Sequence, residues 1–445
     1  VEHSLAAGDY ARAGELVERN AEGAWAMAQP KYQQMLQRLP PEVSRQHAWY
    51  CTFQAWNLCL TGQLEAASAL IDAAERNPVL PEDLRAGLAL MRTYMADLYG
   101  RPYVLTEHLL RSPAYIPEEN APMRNSADMM VASILYMNGR FDEAASLLLQ
   151  AAERGMARHT GGAVPIAVSR LARIRLIEGR VAEAEALCRH YLCALEQQST
   201  ERLFAKGNLH AVLADAQRLQ GNLQGAEEQA CEGVRCNEVW AIPHGTALAF
   251  QALARVRFAQ GDAGGALELL EREEAATRGR TLPPDLVSER AASRVEIWLL
   301  LGDTAAAERW ARESGLTAHD PLQFRREVEH MALARVLLAT GRRAEGIGLL
   351  SRLAEAAGAA GRLGRLEAIR GLARHEPSPL SEPLTERERE IPALLAQGCS
   401  NQEMAAALVV AIGTVKAHVH QVLRKLEAPS RNRAVARARE LGLLR

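Results

Sequence analysis

Aromatic residues make up only 5% of this 445-residue sequence, and no run of 18 apolar residues occurs anywhere in it. A membrane-spanning helix needs about 20 such residues. The longest uncharged run, Val239–Ala254, is interrupted by Pro243, His244 and Gly245, so no membrane partner is expected. The chain opens at Val1 without methionine and without a basic-then-apolar leader, which suggests a cytoplasmic chain whose upstream part is missing. The seven cysteines are odd in number and show neither zinc spacing nor a disulfide framework; Cys188/Cys193 and Cys231/Cys236 fall on different helix faces. Reduced thiols and no metal are expected. Also absent are a phosphate loop, an H-E-x-x-H pair and a nucleophile elbow. No catalytic residue and no cofactor are therefore expected, and the chain as given does not read as an enzyme.

What is present favours helices. Alanine, leucine, arginine and glutamate dominate, and these are good helix formers. The length exceeds one compact core, so several domains or an elongated array are expected. The net charge of −2 conceals an asymmetry: from Ser400 onward, eight Lys or Arg stand against three Glu. A basic tail on an acidic body points to a polyanion partner for the tail alone.

One element recurs, a glycine with alanine five residues on: GDYARA at Gly8, GQLEAA at Gly62, GRFDEA at Gly139, GRVAEA at Gly179, GNLQGA at Gly221, GDAGGA at Gly261 and GDTAAA at Gly302. GRPYVL at Gly100 and GRRAEG at Gly341 fill the remaining places, so that from Gly62 onward the glycines lie 38 to 42 residues apart. Glycine leaves the helical conformation cheaply, and a small alanine lets the next helix pack close. A second small position recurs seven residues before the glycine, at Ala55, Ala132, Ala172, Ala214, Ala254 and Ala334. Helical hairpins stacked in this way share one continuous core.

This array resembles tetratricopeptide repeats, in the lengthened form found in the maltose-regulator-like family of large LuxR-type activators. The resemblance covers residues 1–372, and it implies a hairpin superhelix that senses a small-molecule inducer or a regulatory protein. Such proteins carry an ATPase domain ahead of the repeats, and no such domain is present here. A generic scaffold that binds a protein or peptide is the alternative. By the same resemblance, residues six and thirteen before each glycine face inward. Six back gives Trp56, Tyr94, Ser133, Arg173, Asp215, Arg255, Glu296 and Arg335; thirteen back gives Trp49 and Asn208 among others. Trp49, Trp56, Tyr94, Arg173, Asp215 and Arg255 are the candidate ligand residues. A solvated surface with internal ion pairs among the charged members is the competing expectation.

Three prolines between Arg374 and Leu384 mark residues 373–383 as a linker. Thr385-Glu386-Arg387-Glu388 then forms a capping box for a helix reaching about Gln397, closed by Gly398. Ser400 caps a second helix with Met404, Ala405 and Leu408 inward. After a turn over Val409–Gly413, a third helix buries Val415, Val419, Val422 and Leu426 as a single stripe. Its opposite face carries Lys416, Ala417, His420 and Arg424, which suits a helix lying in a major groove. Ser430 starts a fourth helix containing Arg431, Arg433, Arg437 and Arg439.

Residues 384–445 resemble the LuxR-type helix-turn-helix almost end to end, through Leu384, Thr385, Glu388, Glu390, Gly398, Ser400, Asn401, Ala405, Leu408, Thr414, Val415, Lys416, His418, Lys425, Leu426, Arg431 and Ala434. The resemblance implies promoter DNA and RNA polymerase as partners, with a dimer or higher oligomer on DNA. Candidate DNA contacts are Thr414, Lys416, Ala417, His420, Arg424, Lys425 and Arg431. Two departures stand out: Pro392, expected to bend or shift the first helix, and Ala411-Ile412, which removes the usual side-chain cap of the third. The fold class expected is therefore all-α, a tetratricopeptide-like superhelix followed by a four-helix LuxR-type domain.

Overall fold

A computed structural model describes residues 1–19, 38–40, 43, 48–76, 80, 82–99, 110, 121–157, 164–197, 205–240, 242–374, 384–408, 410–426, 428, 430–440 and 443–444. A few side chains within these ranges, Trp49 among them, lie outside the description, as does the expected linker from residue 375 onward. No strand occurs among the described residues.

The repeat region runs α1 (Glu2–Ala6), α2 (Tyr10–Arg19), α3 (Ala48–Leu60), α4 (Leu64–Glu75), α5 (Glu82–Leu98), α6 (Ala121–Met137), α7 (Phe141–Ala157), α8 (Val164–Ile177) and α9 (Val181–Gln197). It continues through α10 (Lys206–Leu219), α11 (Leu223–Trp240), α12 (Pro243–Ala259), α13 (Ala263–Ala276), α14 (Pro284–Leu301), α15 (Thr304–Glu313), α16 (Glu327–Ala339), α17 (Arg343–Ala359) and α18 (Leu363–Arg374).

Each described repeat glycine sits between two helices with positive φ, from 67° at Gly62 to 89° at Gly261. The residue after it returns its N–H to a carbonyl five positions back, as in Asn222 to Gln217 at 2.9 Å and Arg342 to Leu337 at 2.8 Å, which is the Schellman closure. Except at Gln63, which makes no side-chain cap, that following residue then starts the second helix in one of two ways. As Asp or Asn it caps the helix: Asp262 accepts from the Gly265 N–H at 2.8 Å and Asp303 from the Ala306 N–H at 3.0 Å. As Arg it pairs with a Glu three residues on, Arg140 with Glu143 at 2.5 Å and Arg342 with Glu345 at 2.6 Å. A cap is worth about 1 kcal/mol and an exposed pair less, so the aspartate copies stop and restart most firmly.

The seven alanines five residues after the glycines, Ala13, Ala67, Ala144, Ala184, Ala226, Ala266 and Ala307, are all completely buried. So are those seven residues before, to within 1%. In the GRRAEG copy Gly346 replaces the alanine, and a Cβ there would lie 2.9 Å from Leu338, so the helices approach even closer. Gly100 lies outside the described residues.

Later hairpins fold back on earlier ones. The Thr281 N–H donates to the Gly62 carbonyl at 3.0 Å, and Arg325 pairs with the buried Asp97 at 3.0 Å. Phe324 stacks edge-on against Tyr136 and Phe141, with ring centroids 5.3 and 4.9 Å away. Gly364 at the start of α18 rests on the turn at Gly179, where an added Cβ would meet the Leu176 carbonyl oxygen at 2.4 Å. The superhelix thus coils tightly enough for one turn to pack on the next.

From Leu384 the chain closes a separate core of Leu384, Ile391, Met404, Leu408, Val415, Val419, Val422, Leu426, Ala434 and Ala438. Its helices are α19 (Glu386–Ala396), α20 (Asn401–Leu408), α21 (Ile412–Lys425) and α22 (Arg431–Glu440). Both bonds of the Thr385/Glu388 capping box form, at 3.3 and 2.8 Å. Ser400 and Glu403 make a second reciprocal pair, at 3.3 and 2.7 Å. The helix expected to bend or shift at Pro392 runs unbroken through it. Ala411 indeed gives α21 no side-chain cap, and its carbonyl instead accepts from the Thr414 N–H at 2.9 Å.

Candidate nucleic-acid interface and concave cleft

With Val415, Val419 and Val422 buried, α21 presents Thr414, Lys416, Ala417, His420 and Arg424 to solvent. This is the face expected for a helix that reads a groove. Arg424 hydrogen-bonds Gln421 one turn back, at 3.4 Å. Lys425, expected near a phosphate, lies elsewhere: its Nζ is 2.6 Å from Glu388 Oε2, with side-chain exposures of 9% and 6%. Burial pushes the Glu388 carboxyl up, but bonds from Lys425 and Thr385 outweigh that and hold it below its ordinary value. The pair pins the start of α19 to the end of α21. Arg431 donates to Asn401, joining the start of α22 to that of α20. Ala438 is fully buried in the domain's own core and Val435 packs partly against it.

In the repeats, Arg173, Asp215 and Arg255 come together as the register implies, but each is taken up by charge. Arg255 forks Asp215 at 2.5 and 2.9 Å and reaches Glu289 at 3.5 Å. Arg173 meets Asp285 at 2.9 Å and Glu289 at 2.6 Å, both on α14, and lies over the Tyr136 ring. Despite burial, Arg255 and Arg218 hold the Asp215 carboxyl below its ordinary value, and Arg173 and Arg170 do the same for Asp285. Arg335 pairs with Glu296 at 2.9 Å. The expected ligand set of Arg173, Asp215 and Arg255 is therefore an internal ion-pair ladder.

Trp56 and Tyr94 are placed differently. Their rings, with centroids 6.4 Å apart, wall a partly open cleft together with Met129, Met130 and Ile166. Its polar lining is Ser133, Arg170, Asn208, Asn237, His244 and Thr281. The register count named Ser133 and Asn208 but not Arg170 or His244. Arg170 lies nine residues before Gly179 and His244 seventeen before Gly261. Counting by sevens skips these positions, although a helical stripe passes through them between and beyond the counted ones. Trp49 lies in α3, but its side chain is outside the described residues.

His210, Glu232 and Cys236 bring three possible metal-ligand atoms within 4.8 Å. Glu232 is already forked by Arg235 at 2.5 and 2.8 Å and accepts from Cys236, so the trio reads as a satisfied hydrogen-bond group.

Two family models match the chain: MalT-like TPR region over residues 107–376, and bacterial regulatory proteins of the luxR family over residues 382–438. An array of tetratricopeptide-like hairpins ending in a LuxR-type helix-turn-helix defines a DNA-binding transcription regulator. The chain belongs to the MalT-like TPR family. Among relatives, it is 24% identical over 370 residues to the HTH-type transcriptional regulator MalT of Yersinia enterocolitica, covering 80% of this chain and 40% of that protein. It is 51% identical over 65 residues to the response regulator protein VraR of Staphylococcus aureus, covering 15% of this chain and 31% of VraR. The chain thus spans less than half the length of these curated relatives. Among the described residues no single helix is long and apolar enough to cross a membrane.

Proposed function

We propose that this chain is the sensory and DNA-binding part of a transcription activator. A small molecule held by the repeats controls how the helix-turn-helix assembles at a promoter, where it engages RNA polymerase. The observation that carries this reading is the face of α21, where Thr414, Lys416, Ala417, His420 and Arg424 are exposed opposite three buried valines. Lys416 and His420 reach base edges, while Arg424 and Arg431 approach phosphates. Lys425 acts as a strut within the domain. A small molecule is favoured over a peptide because aromatic and polar groups converge in a cleft rather than lining an open groove.

Lys416→Ala should weaken binding to a cognate promoter by about 1–3 kcal/mol. Mobility shifts on that promoter and on unrelated DNA measure it. Equal affinity of wild type and variant for the promoter would remove α21 from the base-reading role.

One such domain covers a short half-site, so useful affinity requires two copies about one DNA turn apart. Sedimentation of residues 376–445 on a two-half-site duplex should show two domains per duplex. One-to-one binding there would rule out the paired arrangement.

A further inference from the structure

The cleft inside the superhelix holds buried polar atoms without partners among the described residues, and their kinds specify what would complete them. Arg170 on α8 is only 9% exposed. It donates to Ser133 and lies 5.7 Å from the centroid of the Tyr136 ring, but its Nε has no acceptor. The carboxylate whose charge it influences, Asp285, is engaged by Arg173 instead. Arg170 forms no salt bridge of its own among the described residues, and a guanidinium set this deep gains from an anion brought against it.

Two further atoms in the same cleft are unpartnered, Asn208 Oδ1 on α10 and His244 Nε2 on α12. Burial, with Arg170 nearby, pushes the His244 imidazole down to about 3, so it is a neutral hydrogen-bonding group and not a second cation. Gly245 lets the Asn208 and Asn237 side chains lie close against α12, where an added Cβ would stand 2.8 and 2.5 Å from their Oδ1 atoms. Besides Asn237, the rest of the wall is mainly aromatic and apolar: Trp56, Tyr94, Met129 and Met130, with Thr281 and Pro283 bordering it from the segment before α14.

We propose that this cleft binds a small hydrophobic carboxylic acid with a second polar group, its carboxylate on Arg170, its body against Trp56 and Tyr94, and a hydroxyl donating to Asn208. This rests on the reading of the repeats as a sensor and names the ligand class. A neutral sugar leaves Arg170 without a salt bridge, and an inorganic anion leaves the aromatic wall uncovered. Acid of this kind satisfies both with one molecule.

The test uses the full 445-residue chain, titrated calorimetrically with benzoate, 4-hydroxybenzoate, phenylacetate and 4-hydroxyphenylacetate, each beside its primary amide, and with maltose. At least one hydroxylated acid should bind at least tenfold tighter than its amide and raise the melting temperature. Arg170→Gln should remove that preference, and Asn208→Leu should reduce the hydroxylated acid to the affinity of its parent. If no acid binds, if acids and amides bind alike, or if only maltose binds, the proposal is overturned. Should either variant fail to fold, the acid-against-amide comparison on the wild-type chain decides alone. Mobility shifts on promoter DNA with and without the bound acid separate the two readings. Acid binding with unchanged DNA affinity retains the cleft and sinks the sensor, whereas a DNA response to another molecule without acid binding does the reverse.

Discussion

Arg173→Ala will destabilise the repeat array by about 3–5 kcal/mol, the cost of leaving buried carboxylates without their cation. Arg173 joins α8 to α14 through Asp285 and Glu289, with side-chain exposures of 9%, 8% and 22% for the three groups. With it gone, Glu289 keeps Arg255 at 3.5 Å, and Asp285 keeps no salt bridge among the described residues. The lost link spans more than a hundred residues of sequence, so the damage falls on the coiling of the superhelix and not on one hairpin. Urea unfolding followed by circular dichroism should show a lower midpoint for the first transition. An unchanged midpoint would mean that this ladder carries no stability. In that event a ligand role for Arg173 returns to consideration.

Lys425→Ala will loosen the helix-turn-helix by about 3 kcal/mol, the lower end of what breaking a buried pair costs, because so small a domain keeps solvent close. The substitution strands Glu388, which still caps α19 but no longer ties it to α21. For a domain of about 60 residues, 1 kcal/mol moves the melting temperature by roughly 4–8 °C, so a fall of more than 8 °C is expected for residues 384–445. A dependence on pH accompanies it. The Glu388 carboxyl titrates below its ordinary 4.5 when folded, so its stabilisation is fully present above that value and disappears as the pH falls through the lower, folded one. Wild type should therefore lose stability on acidification below about pH 4.5 more steeply than Glu388→Gln. Parallel acid profiles would show that the pair is not linked to folding.

The two halves of the molecule were legible to different depths. In the last domain the caps at Thr385 and Ser400 and the valine stripe of α21 are local signals, each complete within a few residues, and each appears where the sequence places it. Lys425 was misplaced because its partner, Glu388, lies 37 residues away on another helix. A charged residue at a helix end looks the same in sequence whether it faces a phosphate or a carboxylate. At Pro392 the helix continues although the proline offers no N–H, because Pro392 and Ile391 are buried and packing supports the segment.

In the repeats, the sequence by itself determined the hairpins. Glycine at the turn and a small residue at the closest approach after it act over one or two helical turns, and every described copy keeps them, with alanine at that approach in all but the Gly341 copy. The inward stripe came from the family resemblance, and Trp56, Tyr94 and Asn208 from it line the cleft. Only the tertiary structure decided which members of that stripe are ion-paired and which are left open. Arg173 finds Asp285 and Glu289 more than a hundred residues on, while Arg170, one helical turn earlier, finds none and borders the cleft. The physical reason is that superhelical coiling is the sum of small rotations between successive hairpins. No local rule encodes that sum, yet it sets which side chains from distant repeats meet across the concave surface.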